Sequence, residues 1–364
     1  MMNPLDFTID ENLATAKTLP ASVYFGEEIL ALEKQRIFNR TWQLVGRLEQ
    51  LPDAGSFFTT EIAGEPLVLV RGKDEKIRGF FNVCRHRAGP VANGTGCRKA
   101  FQCAYHGWAY ALDGSLLSTP YFEGVEHFNK TEYGLVPVGV EVWEQFIFVS
   151  LDETSPPFGE FFADLSERIR PFNIANMQFV ERRDYLIDCN WKVYVDNYLE
   201  GYHLPMVHPG LMQELDFANY HTRTFRYHSL QDAPIRKTSA DDRTRRYESD
   251  GKTDALYFWV FPNLMVNLNP ETLSTNLIIP LSPEKTLTIF EWFAHDSHSL
   301  ESQQRMLGTV HFSDEIQQED IEICEAVQRG LRSISYTQGR FSKRFENGVH
   351  HFHRLWQEFC LRNG

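Results

Sequence analysis

Residues 84–108 read CRHRAGPVANGTGCRKAFQCAYHGW, and the spacing of thiols and imidazoles in this stretch decides how the chain is built. Cys84 and His86 form one arm and Cys103 and His106 the other, with sixteen residues between His86 and Cys103. A zinc finger usually takes both Cys from one arm and both His from the other. One Cys and one His per arm suits a [2Fe–2S] cluster, in which one iron is held by two thiolates and the other by two imidazoles. Imidazole in place of thiolate raises the reduction potential, so such a cluster is a mild electron acceptor. Gly89, Gly94, Gly96 and Gly107 let the loops wrap inorganic sulfur and aim backbone N–H groups at it. A structural zinc site or satisfied core residues are the bland alternatives. Cys97, Cys189, Cys324 and Cys360 lack such company and read as ordinary thiols.

Around this stretch, from about 55 to 150, short alternating runs are separated by turn residues, with Asp113-Gly114 as a hairpin signal. That texture predicts a small all-β domain. Upstream, residues 26–39 place Ile29, Leu30, Leu32, Ile37 and Phe38 at helical spacing. Downstream of Ser155-Pro156-Pro157, helices are expected near 158–169, 190–204, 314–332 and 349–361. Strands are expected at 181–188, 256–268, 273–281 and 284–294, which gives α+β with a mostly antiparallel sheet. Residues 229–254 are polar and charged and read as a long surface loop that covers a pocket. The expected domains are an N-terminal segment (1–39) packing on the last domain, the all-β domain (40–150) and the domain 151–364.

A second site is written in residues 190–208, NWKVYVDNYLEGYHLPMVH. Apolar residues on every side predict a buried helix ended by Pro205, yet Asp196, Asn197, Glu200 and His203 lie within it. Buried charges are costly unless they are paired or bound to metal. Asp196, Glu200 and His203 fall within about 60° of helical arc, and His208 can swing back towards His203. Glu200, Asn197 and Asp196 are the candidate catalytic residues. Two imidazoles and a carboxylate make an iron site with open positions for O₂. The carboxylate is expected from helix 314–333, where Asp320 sits on an apolar stripe of Ile316, Ile323, Cys324, Val327 and Leu331. Glu319, Glu322 and Glu325 point to other sides, with Glu319 the next candidate if Asp320 is not the ligand.

The formal charge of −13 argues against nucleic acid, which needs a basic surface, and suits a cationic substrate. No apolar run approaches the roughly 18 residues that span a bilayer, and the polar N-terminus lacks the order of a signal peptide. Six cysteines in 364 residues are too few for a disulfide scaffold, so a cytoplasmic protein is expected, with no membrane and no nucleic acid among its partners.

The motifs CRHRAG…CAYHGW and NWKVYVDNYLEGYHLPMVH resemble the Rieske non-haem iron oxygenase α subunits, over about residues 24 to 335. The stretches TWQLVGRLEQL, DNYLEGYH, FPNLMVNLNP, NLIIPLSP and EDIEICEAVQRGL are similar to the choline monooxygenase and betaine or carnitine oxygenase branch. The resemblance implies a Rieske domain beside a helix-grip (START-like) catalytic domain, assembled as a homotrimeric ring with the cluster of one subunit facing the iron of its neighbour. It implies Cys84, His86, Cys103 and His106 as cluster ligands, and His203, His208 and Asp320 as ligands of a mononuclear Fe(II). Glu200 matches the carboxylate that bridges an iron His to a cluster His, His106. Ala88 stands where several relatives have Gly.

The family's cycle takes electrons from NAD(P)H through a separate reductase or ferredoxin and uses O₂ to oxidise a small substrate. No P-loop or G-x-G-x-x-G opens a helix here, so a partner must bind the nicotinamide. Monooxygenation of a quaternary ammonium compound is the first expectation and hydroxylation of an aromatic ring the second. An electron carrier is the third, but it would need no second iron site. Tyr257, Trp259 and Phe261 alternate along one strand and are candidates to line a pocket for the ammonium group, with sheet core as the alternative.

Overall fold

The computed structural model describes residues 5–236, 254–269 and 272–361. The chain forms two compact units, Phe38–Phe158 and Met1–Ile37 together with Gly159–Gly364.

The unit Phe38–Phe158 is built from strands. These are β1 (Gln43–Arg47), β2 (Ser56–Ile62), β3 (Glu65–Arg71), β4 (Ile77–Phe81), β5 (Thr95–Cys97), β6 (Phe101–Gln102), β7 (Ala109–Tyr110), β8 (Leu116–Ser118), β9 (Pro137–Trp143) and β10 (Phe146–Ser150). Seven pair antiparallel in the order β1-β10-β9-β4-β3-β2-β5, and β6-β7-β8 make a separate three-stranded sheet. Leu67, Val68, Leu69 and Val70 are each 0% exposed, because β3 is covered on both faces and needs no polar alternation. The Asp113-Gly114 turn joins β7 to β8, with Gly114 at φ +87° and Ala111 N–H donating to Ser115 O at 2.8 Å. The two Cys-His arms occupy the β4–β5 and β6–β7 connections.

The second unit carries a seven-stranded antiparallel sheet. Its strands are β11 (Gln178–Ile187), β12 (His221–Thr224), β13 (His228–Pro234), β14 (Asp254–Val260), β15 (Leu264–Leu268), β16 (Thr272–Ser282) and β17 (Lys285–Ala294). Their order is β11-β17-β16-β15-β14-β13-β12. The helices are α1 (Glu27–Arg36), α2 (Phe158–Ile169), α3 (Trp191–Tyr198), α4 (Leu204–Val207), α5 (Leu211–Glu214), α6 (Leu300–Leu331) and α7 (Asn347–Leu361).

Several expectations are corrected here. The continuous helix expected over 190–204 stops after Tyr198, so Glu200 and His203 stand in a loop and the arc shared with Asp196 does not exist. Leu199 N–H closes the last turn on Val195 O, and the Glu200 carboxylate then accepts the backbone N–H groups of Tyr202 and His203, which folds the loop back on itself. Pro205 lies in the first turn of α4 rather than ending a helix, since its missing N–H is harmless there. The run 256–268 divides into β14 and β15 at Phe261–Asn263, where Pro262 cannot donate to a ladder. Residues 229–234, expected in a loop, pair as β13 with β14, Ser229 opposite Trp259 and Gln231 opposite Tyr257. Of that expected loop, residues 237–253 lie outside the described residues.

Helix α6 begins at Leu300, earlier than expected, because Ser299 caps it by accepting Ser302 N–H at 3.2 Å. Its buried face is also phased differently. Ile323 and Val327 are exposed, whereas Gln317, Cys324, Gln328 and Leu331 are buried. Two amides sit on that face because they have work there: Gln328 Oε1 accepts Asn190 N–H at 2.9 Å and Gln317 Oε1 accepts the Tyr194 hydroxyl. These bonds hold α3 against α6, and so set the two halves of the second site against each other.

Candidate metal centres

In the first unit Cys84 and Cys103 are each 2% exposed, above a core that includes Phe57, Phe101, Trp108 and Tyr110. Both arms are closed by their own backbone: Cys84 N–H donates to Gly89 O at 2.8 Å, and Cys103 N–H to Trp108 O at 2.9 Å. The rings of His86 and His106 have centroids 4.6 Å apart, and His86 stacks on Trp108 at 4.9 Å. The Tyr110 hydroxyl lies 3.2 Å from Cys84 Sγ and accepts Arg85 N–H at 2.9 Å. Burial and then the bond with Cys84 push that hydroxyl well above its ordinary pKa, so it stays neutral beside the thiol. His86 Nδ1 is buried without a hydrogen-bond partner, a costly state for a polar atom unless something binds there. A side chain at position 89 would place a Cβ 3.0 Å from Cys103 Sγ, so glycine keeps room beside the sulfur. Two thiols, two adjacent imidazoles and an unpartnered buried nitrogen fit a [2Fe–2S] cluster.

In the second unit His203, His208 and Asp320 offer ligand atoms that all lie within 4.8 Å of one another. His208 Nε2 is 3.0 Å and His203 Nε2 3.8 Å from Asp320 Oδ1, so both imidazoles present the same nitrogen to one carboxylate. Each outer nitrogen has its own carboxylate: His203 Nδ1 is 2.6 Å from Glu200 Oε1, and His208 Nδ1 is 2.6 Å from Glu319 Oε2. Asn197 Nδ2 donates to Asp320 Oδ1 at 2.6 Å. Burial works against a charged His208, but the hydrogen bonds and charges of Asp320 and Glu319 outweigh it and raise its pKa. Two imidazoles and one carboxylate with room beside them fit a mononuclear iron.

A cavity of about 150 Å³ opens beside this triad. The aromatic residues Tyr198, Tyr220, Tyr257, Phe290 and Trp292 line it, with Asn267, Ser274 and Asn276 from the sheet. Burial pushes the Tyr198 and Tyr220 hydroxyls well up, which keeps them neutral; they donate to Asn267 Oδ1 and Gln231 Oε1.

Of the residues expected from sequence, His203, His208, Asp320, Glu200 and Asn197 converge here. Asp196 does not. It faces the other way, accepting the Tyr24 hydroxyl at 2.7 Å and lying 2.8 Å from His353 Nε2, because residues 196 and 197 on a helix point about 100° apart. Trp259 is 0% exposed and packs on Phe261 and Phe352, with Nε1 donating to Pro262 O at 3.1 Å; only Tyr257 of that strand reaches the cavity. Glu319, expected on another side of α6, is on His208. Its side chain is 40% exposed, so no burial signal in the sequence marks it.

Residues 41–129 match the Rieske [2Fe–2S] domain, and residues 174–362 match the ring hydroxylating alpha subunit (catalytic domain). The chain belongs to the Rieske ring-hydroxylating oxygenase α subunits. It is therefore an iron-dependent oxidoreductase with a [2Fe–2S] domain and an oxygenase domain that binds a mononuclear iron. Rieske oxygenases take their electrons from a reductase or ferredoxin and use O₂ on a small substrate. The chain is 36% identical over 355 residues to the chloroplastic choline monooxygenase of Arabidopsis thaliana, covering 94% of this chain and 83% of that one. It is 30% identical over 369 residues to the carnitine monooxygenase oxygenase subunit of Escherichia coli (strain K12), covering 96% of each. A solved quaternary ammonium Rieske monooxygenase involved in carnitine oxidation superposes with a TM-score of 0.84 at 28% identity, over 96% of this chain and 97% of that chain. Naphthalene 1,2-dioxygenase, at 19% identity and a TM-score of 0.76, shares the fold.

Proposed function

We propose that this Rieske oxygenase monooxygenates a small quaternary ammonium compound of the choline, betaine or carnitine type, at a carbon next to nitrogen. The observation that carries the reading is the cavity beside the triad, lined by aromatic residues and two carboxylates, Glu200 and Asp320. Aromatic faces attract a cation that offers no N–H to pair with, at about 0.5–2 kcal/mol each. A cavity of about 150 Å³ matches the size that holds a benzene-sized molecule in other proteins, which favours a small ammonium over a fused-ring arene.

In this proposal Cys84, His86, Cys103 and His106 hold the cluster, and His203, His208 and Asp320 hold the iron. The iron, when bound, supplies O₂ activation at its open positions. Glu200 holds the His203 ring in place and is the residue through which that ring is linked to His106 of a neighbouring copy. The assembly proposed is the homotrimer that the family resemblance implies, in which that link runs between copies. Asn197 fixes the Asp320 oxygen that faces the histidines. Outside the cluster arms, Cys97, Cys189, Cys324 and Cys360 are free thiols, which supports a reducing, cytoplasmic location. Among the described residues, no helix is long and apolar enough to cross a membrane.

The test is a panel of choline, glycine betaine, carnitine and a neutral isostere with carbon in place of nitrogen, supplied with a surrogate reductase and followed by aldehyde release. One ammonium should be oxidised and the isostere should not. Trp292→Leu should weaken the cation by about tenfold relative to the isostere. An isostere oxidised as well as the best cation would remove the ammonium reading.

A further inference from the structure

His208 carries a carboxylate on each ring nitrogen, Glu319 Oε2 at 2.6 Å from Nδ1 and Asp320 Oδ1 at 3.0 Å from Nε2. A neutral imidazole has one N–H and one lone pair, and the hydrogen bond at one nitrogen decides which is which. The Glu319 carboxylate can only accept, so Nδ1 carries a proton, and with an iron at the triad Nε2 would be the nitrogen left to offer its lone pair. The ring itself is 1% exposed, while Glu319 is 40% exposed and reaches inward from the surface of α6. Glu319 and Asp320 are consecutive on that helix, so their side chains leave it about 100° apart and grip the ring from two directions. One rigid element thereby supplies both a ligand oxygen and the group that aims a ligand nitrogen.

Glu200 does the corresponding task for His203, but from the loop after α3 and with its second oxygen tied to backbone N–H groups of that loop. The two imidazoles are thus oriented by carboxylates of separate elements. We infer that Glu319 is a positioning residue that fixes the tautomer and tilt of His208 and through them sets the affinity of the site for ferrous iron. This rests on the reading of His208 as an iron ligand. Glu319 touches neither the cavity nor the triad's inner nitrogens, so its effect reaches the metal through the ring alone.

The experiment is equilibrium loss of mononuclear iron from the purified holoenzyme to a graded ferrous chelator, with the cluster's visible absorbance as the internal reference. Glu319→Gln keeps an acceptor oxygen but loses the charge, and Glu319→Leu loses both. Iron affinity should fall in that order, by roughly tenfold and roughly a hundredfold, the usual span for the outer partner of a metal-bound imidazole. Cluster absorbance and the melting temperature of the glutamine variant should stay at the unmodified values, which a merely structural role would not separate from iron loss. His208→Ala is the control on the underlying reading and should lose the iron altogether. If His208→Ala loses iron while both Glu319 variants retain it with unmodified affinity, Glu319 has no part in the site. If His208→Ala itself retains the iron, the ligand assignment fails and the inference falls with it.

Discussion

Ala88 adopts φ +58° in the arm that carries Cys84 and His86, and its N–H donates to Cys84 O at 2.9 Å. A residue with a Cβ held there loses about 1–2 kcal/mol relative to the right-handed region. Glycine would remove that strain but free the unfolded chain, at about 0.4–1 kcal/mol. Ala88→Gly should therefore leave the cluster arm as stable or slightly more stable, and Ala88→Val should destabilise it. The temperature at which visible absorbance is lost is the measurement, and a glycine variant that bleaches earlier would contradict the strain argument. Single residues were legible in the sequence where burial and charge conflicted. His203, His208 and Asp320 stood out because ionisable groups among apolar neighbours need a partner. Asp196 satisfied the same rule, yet its partners are Tyr24 and His353, which sequence order places far away. Glu319 broke no such rule; the sequence offered it only as a substitute ligand for Asp320, not as the partner of the outer His208 nitrogen.

At the scale of elements, α1, α3 and α7 meet at one buried ion pair. Lys192 Nζ lies 2.6 Å from Glu33 Oε1, both side chains are 0% exposed, and the indoles of Trp191 and Trp356 donate to the same carboxylate at 2.8 and 2.7 Å. Lys192 also sits 5.2 Å from the Tyr24 ring centre. Removing one member leaves an uncompensated buried charge, so Lys192→Met should destabilise the catalytic unit by about 3–5 kcal/mol. Adding Glu33→Gln should recover part of that, because the buried charge is gone and the amide oxygen still accepts from one of the two indoles. Chemical denaturation of the single and double variants decides it; a double variant worse than the single would show that the pair itself supplies net stability. Helix existence was readable from periodicity, but length and phase were not. The N-terminal half of α6 is mostly polar, and its buried amides Gln317 and Gln328 count as surface in any apolar pattern.

Across the whole molecule, protonation links interior histidines to stability. Burial lowers the pKa of His228 and of His351 to about 4, with Asp164 and Arg168 near the first and Arg354 and Arg226 near the second. The unfolded chain titrates these groups at about 6.5. Between those values the unfolded state binds more protons, so stability is full above about pH 6.5 and declines as pH falls towards 4, by at most about 1.4 kcal/mol per unit for each histidine. Denaturation midpoints at pH 7, 6 and 5 should fall in that order, and His351→Gln should flatten the trend. Midpoints that rise on acidification would remove these two residues as its cause.

By itself the sequence marked the candidate ligands: the two Cys-His arms, the histidines of the second site and the aspartate that the structure places beside them. Ligand sets are short-range patterns, or conflicts between charge and burial, and both are written in residue order. The tertiary structure alone decided where the helix before His203 ends, that Asp196 turns away, that Trp259 is core, and that Glu319 holds the outer nitrogen of His208. Each of these depends on which distant segment fills the space beside a side chain. Local propensity carries no information about a neighbour more than a hundred residues away.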